Sequence, residues 1–151
     1  LPRTVRVATE QGADALTLVN TLPGVLLNVS TGDPELGAGD GGISGPALRP
    51  SGLRAVREAR ANTHLPLFGV GGILTAADAV EYAHAGASLV QMGTASFAWP
   101  RAAEQAIEGL MGWGRKHRIG AWDDLVSKSP GGKGSSSRSE PFDPIESAEE
   151  G

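Results

Sequence analysis

A chain of 151 residues, 40% hydrophobic and 20% charged, is long enough for one domain with a core of its own. Its formal net charge of −4 offers no basic footprint for nucleic acid, and the absence of cysteine removes disulfides, thiolate metal sites and thiol catalysis from these residues. No apolar run reaches the roughly 18 residues of a membrane span and no signal peptide is evident, so the expectation is a cytoplasmic protein without membrane contact.

Residues 3–11 place Val5 and Ala8 at helical spacing, and Gly12 stops them as a C-terminal glycine does. The chain opens on Leu1 and runs at once into this helix, so a processed or truncated chain is expected. Residues 15–21 form a continuous β-rich run suited to a parallel strand buried on both faces. It ends on the polar pair Asn20 and Thr21, at the end of the strand where α/β sheets and barrels bind ligands. Residues 22–46 carry turn-formers without periodicity and read as one long functional loop. That loop closes on Gly41-Gly42-Ile43-Ser44-Gly45-Pro46, three glycines and a hydroxyl able to lie against a flat ligand.

Residues 51–62 are expected as a helix capped by Ser51, with Leu53, Val56 and Ala59 inward and Arg54, Arg57, Glu58 and Arg60 outward. Residues 65–70 make the next buried strand. Thr75-Ala76-Ala77-Asp78 spells a capping box for a helix through about His84, with Ala76, Ala79, Val80 and Ala83 inward and Gly86 as its stop. Residues 88–92 form a third strand. Over 100–117 the stripe Ala103, Ala106, Ile107, Leu110, Met111 and Gly114 marks the most regular helix, and a short helix over 121–126 docks through Trp122. The Gly/Ser-rich, acidic residues 129–151 are expected as a disordered tail, which leaves 1–128 as the organised unit. Strand–helix alternation means an α/β fold with a parallel sheet. Three strands cannot close a barrel, however, and their edges would be sticky.

Two glycine turns follow strands: Gly69-Val70-Gly71-Gly72-Ile73 and Met92-Gly93-Thr94-Ala95. Glycine lets the backbone approach an anion, and freed N–H groups aim partial positive charge at it. In a (β/α)8 barrel a phosphate commonly sits in the loops after strands 7 and 8.

Together with Leu18-Val19-Asn20-Thr21-Leu22, Gly41-Gly42-Ile43-Ser44-Gly45-Pro46-Ala47 and Ala85-Gly86-Ala87, these turns make an ordered set over residues 1–115. The set resembles the C-terminal part of dihydroorotate dehydrogenase, most closely the bacterial NAD-linked type. The resemblance implies the C-terminal portion of a (β/α)8 TIM barrel that holds FMN. It implies that Asn20 and Thr21 contact the pyrimidine substrate, that Val19, Ser44 and Gly45 lie along the flavin, and that Gly71, Gly72, Gly93 and Thr94 hold the FMN phosphate. No catalytic residue and no metal ligand is assigned. The family's proton-accepting cysteine and flavin lysine have no counterpart here, since the chain has no cysteine and no lysine before Lys116. The implied partners are dihydroorotate or orotate, an iron–sulfur and FAD subunit passing electrons to NAD, and further copies of the chain.

Alternatives remain at this point. A related pyrimidine-reducing flavoprotein such as dihydropyrimidine dehydrogenase would use Asn20 and Thr21 equally well, and a half-barrel could serve as a non-catalytic binding module. The glycine turns could be ordinary strand–helix turns. His64, His84 and His117 lack ligand spacing and read as solvated surface, as do Asp123 and Asp124 and the arginines Arg54, Arg57 and Arg60.

Overall fold

The structure, a computed structural model, describes residues 1–126. The expected tail over 129–151 lies outside the described residues. The element order is α1 (Pro2–Glu10), β1 (Leu16–Leu18), β2 (Leu22–Gly24), β3 (Gly41–Ile43), a 3-10 turn (Pro46–Leu48), α2 (Arg49–Arg60), β4 (Leu67–Val70), α3 (Ala76–Ala85), β5 (Leu89–Gln91), α4 (Ala95–Ala98), α5 (Ala102–His117) and α6 (Trp122–Val126). Strands β1, β4 and β5 form a parallel sheet in that order, with Leu16 opposite Leu67 and Phe68 opposite Leu89. Helix α2 crosses from β1 to β4 and α3 from β4 to β5, the βαβ repeat of a (β/α)8 barrel.

The helices cover one face of this sheet. Val5 of α1, Val56 and Ala59 of α2, Leu67 of β4, and Ala79 and Tyr82 of α3 form the core, with Leu16, Leu18 and Val90 packed against it. Alternation puts Thr17, Phe68 and Leu89 on the other face, in one register row, and among the described residues that face has no covering layer. This corrects the expectation of strands buried on both sides. Among the described residues only β4 has neighbours on both edges; β1 and β5 are edge strands and are only half covered.

The ends of α3 form as the sequence dictates. Thr75 accepts from the Asp78 N–H, Asp78 accepts in return from the Thr75 N–H at 2.9 Å, and Gly86 closes the helix at φ 106°. Elsewhere the structure departs from expectation. Helix α2 starts at Arg49, two residues before Ser51, because the 3-10 turn at Pro46 runs straight into it and no side chain caps it. Arg60 is 8% exposed rather than outward. Its guanidinium donates to the carbonyls of Thr63 and Leu65 at 2.8 and 2.5 Å, closing the loop that follows α2. Burial holds its pKa below the usual arginine value. The long loop contains a two-stranded antiparallel pair, β2 with β3, that brings Leu22 opposite Ile43. In α5 the buried positions are Ala102 and Ala106, whereas Ile107 and Met111 face outward. Helix α6 docks as expected, through Trp122, whose indole N–H donates to the Ala87 carbonyl at 2.9 Å.

Candidate functional site

The carboxyl ends of β1, β4 and β5 converge on one cleft of about 160 Å³. All nine residues singled out above line it: Val19, Asn20 and Thr21 after β1, Ser44 and Gly45 after β3, Gly71 and Gly72 after β4, and Gly93 and Thr94 after β5. Parallel pairing brings them together, since strands that run the same way deliver all their exit turns to one end of the sheet. The volume is below the roughly 300–1,000 Å³ of pockets that enclose a whole drug-sized ligand. It suits one anionic group with more of the ligand extending outward.

Each turn has an identifiable support. The Val19 N–H donates to the Val70 carbonyl at 3.0 Å and so ties the exits of β1 and β4. Asn20 turns its side-chain oxygen back to accept the Thr21 N–H at 2.8 Å, and its amide NH2 adds a donor at the strand exit. Thr21 lies against Gly42 of β3, where a Cβ would overlap its hydroxyl. The β2–β3 pair that sequence reading missed therefore seats Thr21 and carries the chain round to Ser44 and Gly45.

The turn after β4 is the most constrained. Gly71 and Gly72 have φ of 125° and 70°, and a Cβ on Gly72 would lie 2.8 Å from both the Arg49 nitrogen and the Gly45 oxygen. Only glycine fits there. Two side chains from α3, neither singled out by the sequence reading as part of the site, secure this turn from beneath. Asp78, 5% exposed, accepts from the Leu74 and Thr75 N–H groups at 3.0 and 2.9 Å and pairs with Arg49, which also reaches Glu81 at 3.5 Å. Tyr82, fully buried, donates its hydroxyl to the Gly71 carbonyl at 2.8 Å. Burial first, and Glu81 to a lesser degree, push its pKa up to about 12 against the opposing pull of Arg49, so the phenol stays protonated and able to donate.

Among the described residues no charged side chain lines the cleft. Its polarity comes from the backbone: the N–H groups of Gly72, Ile73, Gly93 and Thr94 donate to no acceptor among the described residues. Four unpaired donors at the mouths of adjacent strands can accept an anion without a counter-charge. His64, His84 and His117 lie outside the cleft and are exposed, with His117 stacked on Trp113 at 4.3 Å. Asp123 and Asp124 are likewise exposed.

Comparison with known proteins follows the same outline. The family model for dihydroorotate dehydrogenase matches residues 3–112. The catalytic subunit of dihydroorotate dehydrogenase B (NAD(+)) from Pelobacter propionicus is 44% identical over 117 residues, covering 78% of this chain and 38% of its own. A Solibacter usitatus protein provisionally named as the fumarate-linked dihydroorotate dehydrogenase A is 46% identical over 121 residues, covering 80% of this chain and 40% of its own. The chain thus spans about two fifths of the length of these relatives. The crystal structure of DHODH in complex with ferulenol from Eimeria tenella superposes with a TM-score of 0.69 at 26% identity, over 84% of this chain and 34% of that one. A barrel segment of this topology, matched by the family model over most of its described residues, belongs to the dihydroorotate dehydrogenase family.

Proposed function

We propose that this chain supplies the FMN-phosphate grip and part of the substrate site of an enzyme that oxidises dihydroorotate to orotate in pyrimidine biosynthesis. The observation that carries this reading is the cleft itself, where all nine predicted residues meet and four backbone N–H groups lack partners among the described residues. The donor set fits FMN: the amides of Gly71, Gly72, Gly93 and Thr94 would take the phosphate, while Val19, Ser44 and Gly45 would lie along the ring system. A Cβ at Gly93 would meet no protein atom within 4 Å, so the fold alone does not demand glycine there. A ligand lying against the turn does.

FMN, when bound, supplies the acceptor for the hydride that leaves the substrate. The NH2 of Asn20 and the hydroxyl of Thr21 would orient the pyrimidine through its ring carbonyls and N–H groups. None of the described side chains that line the cleft is titratable, so the group that accepts the substrate proton comes from outside them. The uncovered sheet face and the two free strand edges support the same view, in which further barrel strands complete the site. Relatives named as catalytic subunits support a partner. We read it as an iron–sulfur and FAD subunit, with the catalytic chain forming a homo-oligomer.

The test is to purify the full-length polypeptide that carries this sequence and measure its flavin and its turnover. The expected protein is yellow, releases FMN on denaturation and oxidises dihydroorotate in preference to dihydrouracil. A colourless, inactive protein would overturn the reading. Preference for dihydrouracil would move it to the dihydropyrimidine dehydrogenase type, and efficient use of fumarate would remove the need for a second subunit.

A further inference from the structure

We infer that Tyr82 is a positioning residue for anion binding, holding the Gly71–Gly72 turn so that the Gly72 and Ile73 N–H groups stay unpaired and aligned toward the cleft. The inference deepens the FMN-phosphate reading and rests on it for the identity of the anion.

The geometry is unusual for a core tyrosine. Tyr82 is fully buried on α3, and its ring enters beneath the carboxyl end of β4. Two glycines on two other elements make room for it. A Cβ on Gly52 of α2 would overlap the Tyr82 hydroxyl, and one on Gly69 of β4 would overlap its ring edge. In that slot the hydroxyl donates to the Gly71 carbonyl at 2.8 Å and lies 3.4 Å from the Val70 carbonyl, which also accepts the Val19 N–H.

A peptide unit is planar, so fixing a carbonyl fixes the N–H on its other side. Tyr82 holds the Gly71 carbonyl, and the N–H of that same peptide belongs to Gly72. One turn earlier on α3, Asp78 takes the N–H groups of Leu74 and Thr75 at the far end of the segment. Between these two anchors lie the Gly72 and Ile73 N–H groups, which have no acceptor among the described residues. A glycine pair with positive φ has wide conformational freedom, and an anion would otherwise have to order it on binding. Tyr82 removes that cost in advance, from a position where it touches no ligand.

The test uses Tyr82→Phe in the full-length protein, which keeps the ring and removes only the hydroxyl. Backbone 15N order parameters in the flavin-free state read the turn directly, and affinities for FMN and for riboflavin, which lacks the phosphate, read its consequence. Order parameters at Gly72 and Ile73 are expected to fall while those of the helices are unchanged. FMN affinity is expected to fall about three- to tenfold, the scale of one lost hydrogen bond, with riboflavin affinity unchanged.

Gly52→Ala provides a second route, since it displaces the hydroxyl while leaving the tyrosine in place. It is expected to reproduce the FMN loss, and adding Tyr82→Phe to it is expected to cause little further loss. Unchanged order parameters at Gly72 and Ile73 in Tyr82→Phe would overturn the role of Tyr82. Equal losses of FMN and riboflavin would overturn it too, by showing a general loosening of the fold. If the parent protein binds riboflavin as tightly as FMN, the phosphate reading fails, while the order parameters still decide whether Tyr82 holds the turn.

Discussion

Gly72 and Gly93 stand at the exits of neighbouring strands and are glycines for different reasons. At Gly72 the backbone has φ of 70° and a side chain would press on the Arg49 nitrogen and the Gly45 oxygen, backbone atoms that cannot swing aside. Gly72→Ala should therefore destabilise the protein by about 1–3 kcal/mol, the usual cost of a strained backbone position, and abolish retention of FMN. At Gly93 there is space and no positive φ, so Gly93→Ala should leave the urea midpoint unchanged and weaken FMN binding alone. Paired denaturation curves and flavin titrations separate the two. Both glycines are plain in the sequence. Their difference is not, because it depends on what lies opposite each Cβ.

Helix α5 shows what element-level patterning can and cannot say. Its existence and extent follow from the apolar repeat, and the observed Ala102–His117 lies within two residues of expectation. The direction it faces does not follow. The stripe through Ala103, Ile107 and Met111 and the stripe through Ala102, Ala106 and Leu110 lie one residue, about 100°, apart, and both are apolar. Packing against α3 selects the second, with Gly109 placed so that a Cβ would come 2.8 Å from the Ala76 Cβ. Gly109→Val should push α5 off α3 and cost about 1–3 kcal/mol, measurable as a lowered unfolding midpoint. Ile107→Ser on the outward stripe serves as the control and should cost far less. The β2–β3 pair escaped sequence reading for a related reason. Its strands are three residues long, glycine- and proline-rich, and separated by 16 residues of turn-formers, so nothing local announces the pairing.

The whole molecule has a well-covered side and an open one. Helices α1, α2 and α3 close over one face of the sheet, while Thr17, Phe68 and Leu89 line the other and β1 and β5 present free edges. Residues 1–151 expressed alone should accordingly be insoluble or molten, binding ANS strongly and lacking a cooperative thermal transition, because parallel edges and an apolar face lack their partners. A monodisperse protein with sharp unfolding and bound FMN would show instead that the segment is a self-sufficient binding module.

The alternation of the three parallel strands with α2, α3 and α5, the glycine turns and the polar pair Asn20–Thr21 were legible in the chain, because each is a local pattern of apolar period, cap or turn chemistry. From that order the parallel sheet follows, and from the sheet the meeting of nine distant residues at one end. What surrounds the cleft was decided only in three dimensions. Tyr82 reads as an ordinary position on an amphipathic helix, and Asp78 only as part of a cap, until α3 lies across β4, where one hydroxyl and one carboxylate secure the two ends of the same turn. Arg60 reads as a surface charge until the loop after α2 folds its carbonyls over it. Local patterns specify which way a chain bends and what it can bury. Which buried groups face one another depends on contacts between residues far apart in sequence, and only the packed structure contains those.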